Sequence, residues 1–265
     1  MATPLVRAPE CESFFSRLAK APARILLLEY DGTLAPFRAQ RDRALPYPGV
    51  PELLGTIVAS GARVIVVSGR ALSELVPLLH MAHRPEIWGT YGMERMQADG
   101  SYEPHPVSNE AVDALASTNA ALLAAGLEDV LEVKPGAIAV HWRALSASLI
   151  RDIRSRVLTV WWSYNVSRWL ALDEFDGGLE FRVRLTSTCH AIRELLDNID
   201  TRASVAYLGG ATSRSEDVFL GLKGRGIGVL VREEFRSTPA DLWLHPPEEV
   251  VGFLVHWLDS CGIRV

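Results

Sequence analysis

Apolar and polar positions along this chain switch between two periods, and the switches divide it into elements. In "PECESFFSRLAK" the positions of Phe14, Phe15 and Leu18 share one face at helical spacing, so a helix is predicted there. The apolar run from Arg24 to Tyr30 predicts a buried strand that breaks at a glycine turn. "PGVPELLGTIVASG" opens on proline and closes on Gly61, the punctuation of a helix, and the β-branched "ARVIVVSGR" predicts a second strand. Repetition of this unit predicts a parallel sheet.

A third short strand is predicted at Glu86 to Trp88, and Asp99-Gly100 between two alternating runs signals a hairpin. From about Pro106 to Arg182 the pattern changes character. A helix in "NEAVDALASTNAALLAAG", a hairpin turning at Pro135-Gly136, a helix around "SASLIRDIRSRVL" and strands near Trp169 and Glu180 predict a small α+β module. The strand-and-helix rhythm then resumes through "TCHAIRELLDNI", "SVAYLGG", "SEDVFLGLKG", "GIGVLV", "DLWLH" and "PPEEVVGFLVHWLDS". The expected organisation is a discontinuous α/β core over 1–105 and 183–265, interrupted by an inserted domain over 106–182.

Composition narrows the function classes. The chain has 265 residues, 48% hydrophobic and 22% charged, with a formal net charge of -5, so it is globular and carries no basic footprint for nucleic acid. No apolar run approaches the roughly 18 to 20 residues that span a bilayer, and the first 20 residues mix charges with short apolar pieces, so neither membrane nor signal peptide is expected. Cys11, Cys189 and Cys261 lie far apart with no metal-ligand spacing, which makes the reducing cytoplasm the expected location.

Four tryptophans, 142, 161, 162 and 169, crowd into the inserted module; core filling outweighs a sugar platform as their reading. Arg151, Arg154 and Arg156 read as a solvated helix face rather than an anion site. Histidines 141, 190 and 245 have no spacing that marks a metal site or a triad.

The chemistry-bearing stretch is "ARILLLEYDGTLAPF", where an acid, one residue, then Asp-Gly-Thr follow the first strand. It resembles the first motif of the haloacid dehalogenase superfamily, and "VIVVSGR" resembles its second. "GTYGMER", "LEVKPGAIAVHWR", "DGGLEFR", "AYLGG…SEDVF" and the closing "PPEEVVGFLVHWL" follow in the order of the trehalose-6-phosphate phosphatase family. The resemblance covers nearly the whole chain. It implies a haloacid-dehalogenase-like doubly wound parallel sheet core with an inserted α+β cap domain, and ligands at the carboxyl ends of the strands.

The resemblance also assigns roles. Glu29 stands at the nucleophile position and Asp31 at the general acid and base position; Ser68 would hold phosphate, with Gly32, Thr33 and Arg70 beside it. In the cap, Glu132, Lys134 and Glu180 match a sugar-gripping Glu-x-Lys and a later Glu. Mg²⁺ is the family cofactor, with Glu29 and Asp31 as its remaining carboxylate ligands here.

Several positions depart from the pattern. Glu29 replaces an aspartate and extends the stem by roughly 1.3 Å, where a 1 Å misplacement can cost about a hundredfold in rate. Thr188 stands where the third motif has lysine, and the fourth motif's leading aspartates become Ala211 and Thr212 and its later one Ser215, leaving Glu216 and Asp217. Weak or absent Mg²⁺ binding is expected. Arg214, in the altered loop, is the candidate replacement cation, although solvent exposure is an equal reading. The expectation is an impaired or inactive phosphatase-like protein that binds trehalose, its 6-phosphate or a related sugar. The alternatives are a divergent active phosphatase and a non-catalytic partner of a trehalose-pathway enzyme.

Overall fold

The computed structural model describes residues 9–38, 40–81, 83–163, 166–175, 177–184, 188–210 and 215–264. The first stretch runs α1 (Pro9–Leu18), β1 (Arg24–Glu29), α2 (Val50–Ala59), β2 (Arg63–Val67), α3 (Leu72–Leu79), β3 (Glu86–Gly89), β4 (Glu94–Met96) and β5 (Tyr102–Pro104). The middle contains α4 (Asn109–Ala124), β6 (Leu131–Lys134), β7 (Ala137–His141), α5 (Ala147–Ser163), β8 (Leu170–Phe175) and β9 (Gly178–Val183). The last stretch contains α6 (Thr188–Asp197), β10 (Ser204–Gly209), α7 (Ser215–Leu222), β11 (Gly226–Val231), β12 (Leu242–Leu244) and α8 (Glu248–Ser260).

Two compact units result: Met1–Glu103 with Thr188–Val265, and Pro104–Ser187. In the first, an eight-stranded sheet has the order β12-β11-β10-β1-β2-β3-β4-β5, parallel from β12 to β3 and antiparallel at β3–β4. The unbroken apolar run of β1 follows from burial on both faces. Leu26 and Leu28 pack with α1, α2 and α8, whereas Ile25 and Leu27 pack with α6 and α7. This is the doubly wound α/β core with an inserted α+β unit that the sequence predicts. At β1 the strand order reverses, with β2 on one side and β10 on the other, so the crevice at its carboxyl end is where such a sheet receives ligands.

Helix α3 is absent from the sequence expectations. Pro77 lies inside it, and a proline removes a backbone donor and reads as a breaker. Leu72, Leu75, Leu78 and Leu79 nevertheless bury one face, and this packing outweighs the missing bond.

In the second unit, β6-β7-β9-β8 form an antiparallel sheet. Strict alternation sorts its two faces. Ile138, Val140, Leu179 and Phe181 join the core with residues of α4 and α5, including Leu122, Ile153 and Val157. The opposite face carries the rows Glu132–Ala139–Glu180–Asp173 and Lys134–Ala137–Arg182–Ala171. Trp142 is buried and Trp161 packs on Phe181, as core filling requires, but Trp162 is 77% exposed. Arg154 and Arg156 lie on the solvent side of α5, paired with Glu174 and Asp152.

Candidate active site

The carboxyl end of β1 delivers Glu29 and Asp31, two residues apart but turned to different partners. Glu29 reaches toward β10. Its Oε1 accepts from the Tyr207 hydroxyl and, at 2.9 Å, from Ser215 Oγ; its Oε2 accepts from the Gly210 amide at 3.0 Å. Room for this longer stem exists because residue 209 is glycine: a Cβ there would lie 2.6 Å from Glu29 Cδ. Tyr207 is fully buried and packs on Phe219. Burial first, then the charge of Glu29, pushes its phenol well above the ordinary range and keeps it a donor.

Asp31 sits in a turn that only glycine completes. Gly32 has φ +76, and a Cβ on it would meet the Phe37 ring at 2.5 Å. Thr33 is fully buried behind this turn. Both oxygens of Asp31 accept from Arg70, whose Nε and Nη2 each approach to 2.7 Å, while Arg70 Nη1 donates to the Arg41 carbonyl at 2.7 Å. Arg70 is 4% exposed and Asp31 is of intermediate burial, so this is a partly buried two-point ion pair. Burial opposes the guanidinium charge, and the hydrogen bonds and charge of Asp31 outweigh it, raising the Arg70 pKa.

Ser68 follows β2. Its Oγ accepts the Arg70 amide at 3.1 Å, and its carbonyl accepts the Tyr91 amide at 2.8 Å. A Cβ on Gly69 would lie 2.5 Å from Tyr91 Cζ, so glycine is required between the serine and the arginine. Thr188 begins α6 and is buried. Arg214, with Ala211 and Thr212, lies outside the described residues. Glu216, in the first turn of α7, pairs with Arg236 and accepts from Thr238 Oγ1 at 2.9 Å.

A magnesium ion needs about six oxygen ligands at roughly 2.0 to 2.1 Å. Each oxygen of Glu29 and Asp31 already accepts a hydrogen bond from the protein, and a cation at Asp31 would have to displace a guanidinium of like charge. This donor set does not fit the ion. Among the described residues, no group of three His, Cys, Asp or Glu side chains could hold a metal.

In the inserted unit, Lys134 Nζ donates to Glu180 Oε1 at 2.6 Å, both side chains being buried. His141 Nε2 lies 2.6 Å from Glu132 Oε2, and Arg182 Nε donates to Asp173 Oδ2 at 2.5 Å. The sheet register brings these pairs to one face over the small side chains of Ala137, Ala139 and Ala171. Such a face can exchange hydrogen bonds with a polyhydroxylated ligand.

Sequence reasoning missed Tyr207, Ser215, His141, Asp173 and Arg182 as members of these networks. A signal existed for two of them. Tyr207 is a phenol in a strand buried on both faces, which requires a partner, and Arg182 lies two residues beyond Glu180 on the same strand.

No family model matches the chain. It is similar to trehalose-phosphate phosphatase of Mycobacterium leprae, 27% identical over 151 residues, 53% of this chain and 33% of that protein. It is also similar to probable trehalose-phosphate phosphatase 3 of Oryza sativa, 26% identical over 262 residues, 89% of this chain and 69% of that protein. Among solved structures, trehalose-6-phosphate phosphatase of Aspergillus fumigatus shares its fold with a TM-score of 0.68 at 21% identity, covering 94% of this chain and 97% of that one. No described helix is long and apolar enough to cross a membrane.

Proposed function

We propose that this chain, a trehalose-phosphate phosphatase-like protein with the haloacid dehalogenase fold, binds trehalose, trehalose 6-phosphate or a related sugar without turning it over. The observation that carries the reading is the two-point Arg70–Asp31 pair. The residue at the position of the general acid has both oxygens engaged as acceptors, so a leaving sugar oxygen finds no proton donor there while the pair is intact. Glu29, at the nucleophile position, is held by three donors.

Binding of the sugar is assigned to Glu132, Lys134 and Glu180, with His141, Asp173 and Arg182 on the same face. Carboxylates accept hydrogen bonds from sugar hydroxyls, and Lys134 and Arg182 donate them. The place of binding is the cytoplasm.

The test is phosphate release from trehalose 6-phosphate with excess Mg²⁺, beside an Asp31→Asn control, with calorimetry for sugar binding. Wild-type protein is expected to release no more phosphate than the control, and to bind sugar with an affinity that Glu132→Ala and Glu180→Ala reduce. Metal-dependent release abolished in the control would replace this reading with a second: a slow divergent phosphatase in which Glu29 attacks phosphorus. One observation favours that second reading, the location of both acids at the carboxyl end of β1.

A further inference from the structure

At the carboxyl end of β1, Glu29 ties three other places together. It bonds the Tyr207 hydroxyl on β10, the Gly210 amide just beyond β10 and the Ser215 hydroxyl at the first residue of α7. Two of these donors are buried, Tyr207 at 0% and Ser215 at 1% exposure, so each needs an acceptor supplied from inside the fold. Glycine at 209 leaves room for the stem, since a Cβ there would fall 2.6 Å from Cδ and 2.7 Å from Cγ of Glu29. The glutamate, the phenol, the serine and the glycine are therefore mutually fitted.

We infer that this hydrogen-bonded cluster is a metal-free bridge from β1 to β10, Gly210 and the start of α7, with Glu29 as its positioning residue. The inference deepens the non-catalytic reading and rests on it. The length of the glutamate is the decisive feature. An aspartate at 29 ends about one methylene short of all three donors, and it takes from a fully buried phenol its carboxylate acceptor. Restoring the family's aspartate therefore weakens the protein, whereas a site waiting for a divalent ion would be improved by it. The bridge also closes the centre to magnesium, because the hydroxyl protons of Tyr207 and Ser215 point at the oxygen a metal would take.

The experiment is thermal unfolding of the full chain as wild type, Glu29→Asp, Tyr207→Phe and the double variant, each in millimolar MgCl₂ and in EDTA. Glu29→Asp is expected to lower Tm by roughly 4 to 8 °C and Tyr207→Phe by roughly 2 to 6 °C, with the double variant losing clearly less than the sum. Neither MgCl₂ nor EDTA is expected to move any of the four. An unchanged or raised Tm for Glu29→Asp, strictly additive losses, or a magnesium-dependent rise reversed by EDTA would each overturn the bridge. Should Glu29→Asp fail to fold, the same cycle run with Glu29→Gln, which keeps the stem and one acceptor oxygen, reads the coupling to Tyr207. The two ideas fail separately: the bridge is read in Tm, and the absence of turnover in phosphate release.

Discussion

Arg70 grips Asp31 by two parallel hydrogen bonds of 2.7 Å, Nε to Oδ2 and Nη2 to Oδ1, with the guanidinium side chain 5% exposed and the carboxylate 24%. A third bond, from Nη1 to the Arg41 carbonyl, fixes the plane of the guanidinium. Removing one partner of such a pair costs more than breaking an exposed one, because the charge left behind is only partly reached by water.

Arg70→Met should therefore destabilise the protein by about 3 kcal/mol, and adding Asp31→Asn should recover part of the loss by removing the stranded charge. Chemical denaturation of the two single variants and the double variant measures this. Equal stability of wild type and Arg70→Met would show that the pair is not a structural element.

The Lys134–Glu180 pair makes a related prediction in the inserted unit, where the two side chains are 5% and 1% exposed. Lys134→Met leaves the Glu180 carboxylate buried beside an apolar chain and should lower stability by about 3 kcal/mol. Glu132 is only half-buried, so Glu132→Ala should change stability by about 1 kcal/mol or less. Separate denaturation curves settle the order; a larger loss at Glu132 would reverse the argument.

Alkaline pH should reveal the buried phenols. Burial raises the pKa of Tyr207 and of Tyr30, whose hydroxyl donates to the Ala44 carbonyl at 2.6 Å. A group whose folded pKa lies above its unfolded value of 10.0 stabilises the fold fully below that pH. The contribution is lost as pH rises past 10, because the unfolded chain releases the proton first. Stability measured between pH 9 and 11 should fall, and Tyr207→Phe should flatten the fall. An equal slope in the variant would remove Tyr207 from the account.

Most of the fold was legible because its signals are local. The run Ile25 to Leu28 announces a strand buried on both faces, and Pro135-Gly136 announces a two-residue hairpin turn that places Glu132 and Lys134 on one strand face. Pro77 hid a helix because packing overrode its backbone effect. The networks were less legible because their partners meet only after folding: Tyr207 lies 178 positions from Glu29 and Arg70 lies 39 from Asp31. Read alone, Glu29 suggests an acid displaced from its task; with Tyr207, Gly209 and Ser215 around it, it has a fitted place.

Gly209 offers a test of steric fit apart from backbone freedom. A methyl group there would approach Glu29 Cδ at 2.6 Å and Tyr207 Oη at 2.8 Å, closer than real Cβ contacts allow. Gly209→Ala should thus destabilise by about 1 to 3 kcal/mol through overpacking. Gly61 supplies the contrast, since its φ is +85 but nothing lies within 4 Å of an added Cβ; Gly61→Ala should lose about 1 kcal/mol from conformation alone. In a Glu29→Ala background two of the three close atoms around position 209 are gone and Tyr207 Oη at 2.8 Å remains, so adding Gly209→Ala should then cause a smaller further loss. Undiminished loss in that background would place the clash elsewhere than on Glu29.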